Sequence, residues 1–448
     1  MNRKILLSLS LASVLFSQDI KTTLDEVLST NPTVLERLKN YNATKEDITT
    51  AKSGYLPKLD LSIGVGKEDG KRAPNSTPFD YSVYQNSLTL SQNIFKGFET
   101  QSRVSQQENR TVSAAYSYIE KVNQTSFETL NAYIEVMKNR ELLSTQKENV
   151  EINTEIFNKV QKLYDAGLTT LSEVNKIKSA LALAKANYVV QENTLLDAEH
   201  NMQKLLGHSI DANSMTRPTD EVALPLNVKE AEEFAKENNP SLLVSKYNIK
   251  LANATYEEKK SPYYPSVDLE ISQNLNKNLS GIEGKYENLR AMAYLKYNFF
   301  NGFADESAKQ KSISTINQEM QIKNRLERDV TERVNLSWSA HEKLTEQLGH
   351  LNEYKEFSLQ TLTLYSKEYD LGRRSLLDLL SAQNDFIAAK AQIISSQYNM
   401  LFAKYRILDA MGTLVTTVLQ NSENLYANVG LRGETPQNND ELPISYNK

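Results

Sequence analysis

Histidine is the residue that most often binds zinc or transfers protons, and this chain has four: His200, His208, His341 and His350. Zinc enzymes place two histidines close together on one helix face. His341 and His350 are nine residues apart, which puts them on opposite sides of a helix. The sequence therefore predicts no metal site.

The glycines at positions 64, 66 and 70 are the closest approach to a phosphate-binding motif. Their spacing differs from that of the dinucleotide motif, and they lie in a strand-like segment rather than at a strand-to-helix turn. Acid, base and nucleophile groups do not cluster elsewhere along the chain. We therefore expect no catalytic residues and no cofactor, and an exported enzyme is the least favoured interpretation.

The net charge and the lack of cysteine exclude some partners and modifications. The 448 residues include 51 Lys and Arg against 56 Asp and Glu, for a net charge of -5. Nucleic-acid binding needs a concentrated basic surface, so nucleic acid is not an expected partner. The chain has no cysteine, so neither a disulfide nor a lipid-modified cysteine is expected.

The two ends differ from the rest of the chain. Residues 1–17 combine a basic start with an apolar run, the pattern of a secretory signal peptide. Residues 421–448 are polar and rich in Asn, so we expect a largely unpacked tail. No later stretch is apolar for the 18 residues of a membrane-spanning helix. If the mature chain crosses a membrane, it must do so with strands.

The chain repeats one plan twice. Residues 31–64 align without gaps on residues 239–272, with 11 identities in 34 positions. We assign residues 18–220 to a first structural repeat and residues 221–420 to a second. The identities include Asn31/Asn239, Pro32/Pro240, Ser53/Ser261, Tyr55/Tyr263 and Pro57/Pro265.

Glycine and proline are absent from long matching segments. Residues 98–166 and 303–371 are 69 residues each, and residues 168–206 and 373–411 are 39 each; only Gly349 interrupts them. Because these residues end helices, each repeat is predicted to contain a very long helix and a return helix. A shorter helix is expected to begin near Asn31 and near Asn239, which are candidate N-caps.

Alternating segments precede each long helix. Leu59, Leu61, Ile63 and Val65 alternate with polar residues, and a returning segment carries Leu88, Leu90 and Ile94. Alternation over about ten residues indicates a strand with one apolar face, and it also fits a barrel strand between lipid and water. Polar loops are expected at residues 66–80 and 276–284. The second copy alternates at Val267, Leu269 and Ile271, then at Leu289, Ala291, Ala293, Leu295, Tyr297 and Phe299.

The long helices carry an apolar stripe with spacings of three, four and seven, as in coiled coils. An exported coiled-coil protein that does not span a membrane is therefore the alternative. The strand pairs argue against it, because a coiled-coil rod does not need them.

The doubled order of helix, strand pair, long helix and return helix resembles the outer membrane efflux protein family. The resemblance covers about residues 20–415. It rests on Asn239-Pro240-Ser241-Leu242, on residues 261–267, on residues 298–303 and above all on residues 369–383, Tyr-Asp-Leu-Gly-Arg-Arg-Ser-Leu-Leu-Asp-Leu-Leu-Ser-Ala-Gln.

This resemblance implies a mainly α fold with transmembrane β structure. Three chains would form a 12-stranded outer membrane β-barrel, four strands from each, continued by a long periplasmic α-helical barrel. The implied partners are two further copies of the chain, outer membrane lipid, a periplasmic adaptor (membrane fusion protein) and an inner membrane transporter. The implied function is the passive exit duct of a tripartite efflux or type I secretion system.

Gly167 and Gly372 end the long helices, and Thr170 and Ser375 are candidate caps of the next helices. In the resembled family, these turns form the periplasmic entrance and the docking site of the adaptor. We therefore expect both roles here.

The resemblance also implies gating residues. Asp378 matches an aspartate that projects into the entrance, where three copies would make an acidic ring favouring cations. Ser381 occupies the position of the family's second aspartate, and Asp385, on the same helix face, could replace it. Arg374 and Tyr369 match gating positions, and Glu173 matches an acidic partner. An exposed latch of this kind contributes about 0–1 kcal/mol, so adaptor binding could open it.

Overall fold

The structure is a computed structural model that describes residues 19–71, 74, 76–218, 222–419 and 422–431. The predicted signal peptide, residues 1–17, lies outside the described residues.

Each half of the chain contains the same sequence of elements. Two helices lead into a strand pair, which is followed by a 67-residue helix and a 36-residue helix. The first half contains α1 (Ile20–Thr30), α2 (Pro32–Lys52), β1 (Lys58–Gly70), β2 (Phe79–Lys96), α3 (Glu99–Asp165) and α4 (Leu171–Leu206). The second half contains α5 (Val228–Asn238), α6 (Pro240–Glu258), β3 (Ser266–Lys277), β4 (Lys285–Lys296), α7 (Ala304–Asp370) and α8 (Leu376–Met411), followed by α9 (Leu414–Val418) and α10 (Glu423–Ala427).

The predicted long helices are confirmed to within one residue at each end. Gly349 remains helical inside α7, because one glycine costs only about 1 kcal/mol in a helix. The predicted N-cap at Asn31 is also present. Its Oδ1 accepts a hydrogen bond from the backbone N–H of Thr33 over 3.0 Å.

The four strands form one antiparallel sheet in the order β1-β2-β3-β4. Lys58 pairs with Ser91, Gln85 with Asn276 and Ser266 with Lys296. Odd-numbered residues of β1 and β3, with their partners, make an apolar face. The opposite face is polar, with Ser62, Ser87, Asn274 and Asn288 in one row across the sheet. The predicted alternation is therefore confirmed.

The chain divides into two compact units, and each takes segments from both halves. The helical unit comprises Met1–Glu36, Tyr118–Pro240 and Arg328–Lys448, and the sheet unit comprises Arg37–Ser117 and Ser241–Glu327. In the helical unit, α8 contributes many of the buried side chains, among them Tyr398, Leu401 and Leu408. In the sheet unit, the rings of Tyr116 and Tyr247 stack 5.6 Å apart.

Two sequence-based predictions of element boundaries were wrong. The first loop is shorter than predicted, since β1 continues through Gly66 to Gly70, which pairs with Phe79. Tyr297 and Phe299 lie beyond β4, which ends at Lys296. β4 ends there because its partner strand, β3, begins at Ser266. The residue before Ser266 is Pro265, which has no N–H to donate to a neighbouring strand.

The expectation of an unpacked tail was wrong for its first part. Residues 422–431 contain α10, and Tyr426, Val429 and Leu431 are buried. Apolar burial therefore holds this segment despite its polar composition. Residues 432–448 lie outside the described residues.

Among the residues that the structure describes, no helix combines the length and the apolar content needed to cross a membrane. None of the described His, Asp and Glu residues form a group of three that could hold a metal ion.

Candidate functional site

The candidate site is the pair of turns that join α3 to α4 and α7 to α8, both within the helical unit. In the first turn, the N–H of Gly167 donates to the carbonyl of Tyr164 over 2.8 Å, and the next N–H donates to Leu163 over 2.8 Å. This is the Schellman pattern, which ends a helix with one residue at positive φ. Gly167 has φ +73°, a conformation that glycine adopts without steric cost.

The second turn repeats this geometry. Gly372 has φ +72°, and its N–H donates to the carbonyl of Tyr369 over 3.0 Å. The N–H of Arg373 donates to the carbonyl of Glu368 over 2.9 Å. The sequence correctly identified both glycines as the ends of the long helices, and the two halves reverse direction with the same hydrogen bonds.

The helices that follow are capped differently. Ser375 forms a capping box with Asp378: the Asp378 N–H donates to Ser375 Oγ over 3.2 Å, and the backbone N–H of Ser375 donates to Asp378 Oδ2 over 3.4 Å. Thr170 occupies the N-cap position of α4, but its side chain makes no capping bond there. The α7–α8 turn is thus fixed by two side-chain bonds that the other turn lacks.

Arg374 has a carboxylate partner on its own hairpin. Its Nε donates to Oε2 of Glu368 over 2.7 Å, and its guanidinium lies 4.2 Å from the centre of the Tyr365 ring. The hydrogen bond to Glu368 raises the pKa of Arg374 above its ordinary value. Sequence reasoning expected an acidic partner in the first repeat, Glu173, and did not identify Glu368.

Tyr369 packs against an apolar cluster that joins the two hairpins. The cluster consists of Val160, Val174, Ile177, Leu376 and Leu380, which come from α3, α4 and α8. Burial raises the pKa of Tyr369, and the nearby carboxylates of Glu173 and Asp370 add to this effect. The charge of Glu173 therefore acts on Tyr369, and the predicted roles of both residues at the entrance stay predictions.

A second contact between the hairpins is ionic. The Nζ of Lys159, on α3, pairs with the Asp370 carboxylate, and it also lies 5.8 Å from the Tyr369 ring centre. Both partners are about half exposed, so the pair contributes at most about 1 kcal/mol. The sequence offered no signal for it, because residues 159 and 370 are far apart along the chain.

The acidic residues of α8 lie along one side of the helix. Ser381 and Asp385 are exposed, and Asp378 is half-buried at the border of the same side. The opposite side, including Leu380, Gln383 and Ile387, is buried. This side of α8 can therefore present carboxylates to water, as the expected acidic ring requires.

Four leucines are exposed at the two turns. Leu168 is 75% exposed and Leu371 is 68% exposed, while Leu171 and Leu377 are more than half exposed. Both turns therefore present apolar side chains to solvent.

Comparison with known proteins identifies the class. The sequence profile described as "Outer membrane efflux protein" matches residues 23–208 and again residues 233–413. Since these matches cover well over half of the chain, the chain belongs to the outer membrane efflux protein family. This membership confirms the prediction of an outer membrane efflux channel that is not an enzyme, and the coiled-coil alternative is not favoured.

Individual relatives are similar to this chain over most of its length. The chain is 22% identical to the outer membrane protein TolC of Escherichia coli (strain K12) over 435 residues, covering 92% of this chain and 86% of the relative. It is 20% identical to the outer membrane efflux protein BepC of Brucella suis biovar 1 (strain 1330) over 375 residues, covering 84% and 81%. The Campylobacter jejuni CmeC outer membrane channel is structurally similar with a TM-score of 0.78 at 14% identity, covering 92% of this chain and 89% of that chain.

Proposed function

We propose that three copies of this chain form the outer membrane exit duct of a tripartite efflux or type I secretion system. The duct is passive: an inner membrane transporter supplies the energy, and a periplasmic adaptor connects the two. Solutes enter at the helical turns and leave through the end formed by the strands.

One observation carries this proposal: the apolar face of the sheet is exposed. Leu59, Leu61, Ile63 and Val65 of β1 are between 65% and 71% exposed. Leu289 and Leu295 of β4 are 74% and 72% exposed. A water-soluble protein rarely leaves so large an apolar surface uncovered, whereas lipid covers the outer face of a membrane barrel.

The number of strands supports oligomerisation. The sheet has four strands, with β1 and β4 at its edges. The smallest transmembrane barrels have about eight strands, so one chain cannot close a barrel. Three chains would supply twelve strands, with β4 of one chain pairing with β1 of the next.

Two adjacent residues on opposite faces of β1 provide the test. Leu61→Arg places a charge on the apolar face and should cost about 2–4 kcal/mol per chain at the membrane midplane. Ser62→Arg places the same charge on the polar face and is the matched control. We expect Leu61→Arg to abolish trimers in the isolated outer membrane, while Ser62→Arg leaves them at wild-type amounts. Equal trimer assembly by both variants would contradict the proposal.

We also propose that the α7–α8 turn is part of the gate. In this proposal Arg374, which bonds to Glu368 and lies over the Tyr365 ring, helps to hold the entrance closed together with Glu173 and Tyr369. Arg374→Ser should raise single-channel conductance and alter antibiotic sensitivity, whereas Arg373→Ser, one residue away, should change neither. Unchanged conductance in Arg374→Ser would remove Arg374 from the gate.

The exposed leucines are the proposed docking surface for the adaptor. Leu168 and Leu371 flank Gly167 and Gly372, the residues at which the sequence predicted docking. Leu168→Asp with Leu371→Asp should abolish efflux but leave trimers in the membrane intact. Normal efflux in this double variant would contradict docking at the turns.

A further inference from the structure

The β1–β2 hairpin extends beyond the other two strands. Pairing of β2 with β3 begins at Tyr84 and Lys277, whereas β1 and β2 continue to pair as far as Gly70 and Phe79. This protruding part lies at the end of the sheet farthest from the start of α3. The loop that joins β3 to β4, residues 278–284, meets it there.

This loop folds across the polar face of the hairpin. Phe79, Tyr81 and Val83 are odd-numbered residues of β2, so they share a face with Ser87 and its polar row. Val83 is buried, at 7% exposure, whereas its neighbour Tyr84, on the apolar face, is 40% exposed. Because Val83 is covered and Tyr84 is not, the loop lies against the polar face of the hairpin.

Hydrogen bonds anchor the loop to the protruding strands. The side-chain amide of Asn278 donates to the carbonyl of Ser82 over 3.0 Å. The backbone N–H of Ser280 donates to Oε2 of Glu68 over 3.1 Å. The loop also closes on itself, because the Asn278 N–H donates to the Gly284 carbonyl over 2.8 Å. Hydrogen bonds therefore attach the loop to both protruding strands and also close its own two ends.

The Phe79 ring lies against two glycines. A Cβ added to Gly281, which is buried and has φ +68°, would lie 2.5 Å from the ring. A Cβ added to Gly70, which pairs with Phe79, would lie 3.3 Å from it. On its other side the ring stacks on Tyr81, with centroids 5.7 Å apart. At this end of the polar face, Phe79 and Tyr81 thus stack on each other, and the loop of residues 278–284 packs closely against Phe79.

We propose that Phe79, Tyr81 and residues 278–284 form a constriction at the outer mouth of the duct and set the size of solute that passes. The proposal rests on the proposed function, because the polar face of the sheet must line the duct. Three copies would bring three such loops toward the axis. In the row of this face that contains Ser62, Ser87 and Asn274, the side chains are shorter than Phe79 and Tyr81 and leave more room.

Cysteine accessibility in intact cells tests the constriction, since the chain has no cysteine of its own. Ser87→Cys places one thiol on the polar face, inward of the loop. Ser82→Cys places one on the opposite face of the protruding hairpin, as the matched control. Each variant is exposed to a small charged thiol reagent and to a bulky polymer-linked maleimide, and modification is measured on the trimer.

We expect the bulky reagent to modify Ser82→Cys but not Ser87→Cys over the same exposure. Adding Phe79→Ala and Tyr81→Ala should remove this protection. If that background does not assemble, Glu68→Ala with Asn278→Ala releases the same loop through its anchors. Equal reaction of Ser87→Cys with both reagents in the parent background would overturn the constriction. Failure of the small reagent to reach Ser87→Cys in every background would instead overturn the proposed duct.

Discussion

The side-chain amide of Asn239 donates a hydrogen bond to the carbonyl oxygen of Ala410 over 3.0 Å, joining the start of α6 to the last turn of α8. The first half contains the same bond, from Asn31 to the carbonyl of Leu205 over 3.2 Å. Last-turn carbonyls have no partner within their own helix, so each asparagine satisfies a group that would otherwise be unpaired. Duplication of the chain has preserved a tertiary contact as well as a sequence.

Loss of this contact should destabilise the protein. Asn239 is 3% exposed, and Asn239→Ala leaves the Ala410 carbonyl buried without this donor, at a cost of about 1–3 kcal/mol. Thermal unfolding followed by circular dichroism measures the effect. Asn193→Ala, at an exposed asparagine of α4, is the control and should be nearly neutral. Equal stability of the two variants would show that the bond does not stabilise the fold.

The two C-cap glycines provide a second matched pair. Gly207 and Gly412 have φ +88° and +79°, so alanine at either position costs about 1–2 kcal/mol in backbone strain. A Cβ at Gly412 would also lie 2.6 Å from Pro240 Cδ, whereas Gly207 has nothing within 4 Å. Gly412→Ala should therefore lower the unfolding temperature more than Gly207→Ala does. The reverse order would contradict the close packing at Gly412.

The acidic side of α8 should select ions. Asp378→Asn removes one charge per chain but keeps an oxygen that can cap α8. We expect cation preference to fall by about 1 kcal/mol, or roughly fivefold in permeability ratio. Ser381→Asp should shift the ratio the opposite way. Reversal potentials in planar bilayers under a salt gradient measure both, and unchanged values in both variants would rule out an acidic ring here.

Asp409 should make stability depend on pH. Burial raises the pKa of this carboxyl to about 6, and Arg333 and Arg406 only partly offset the shift. The folded state therefore holds a proton that the unfolded state, with a pKa of about 3.9, has already released. This contribution to stability is fully present below about pH 4 and is lost as pH rises to about 6.

Asp409→Asn should remove this dependence and stabilise the protein by about 1–3 kcal/mol at neutral pH. Unfolding measured across this pH range, with the exposed Asp385→Asn as control, provides the comparison. If Asp409→Asn and the wild type have parallel pH profiles, the carboxyl is not protonated in the fold.

Helices and strands that are marked by a sequence pattern along their whole length could be predicted from the sequence. The long helices followed from the absence of glycine and proline, and the strands followed from alternation that begins at Leu59. Four helices, α1, α5, α9 and α10, were not predicted, although α5 begins with a capping residue: Asn227 Oδ1 accepts a hydrogen bond from the Glu230 N–H over 3.0 Å. The burial of Tyr426 depends on tertiary packing and left no periodic pattern.

In the candidate site, too, some features could be predicted from the sequence and others could not. Gly167 and Gly372 could be located because only glycine readily adopts the positive φ that ends these helices. The partner of Arg374 could not, because Glu368 reaches it only after the chain reverses at Gly372. A six-residue separation is not a neighbouring position on a helix, so the pairing depends on the geometry of the turn.

Single-particle electron microscopy of the protein from isolated outer membranes, reconstituted in lipid, tests the central claim most directly. We predict three chains around one axis, with twelve strands closed within the lipid and the α3–α4 and α7–α8 turns outside it. Single chains whose strands do not enter the lipid would contradict the account.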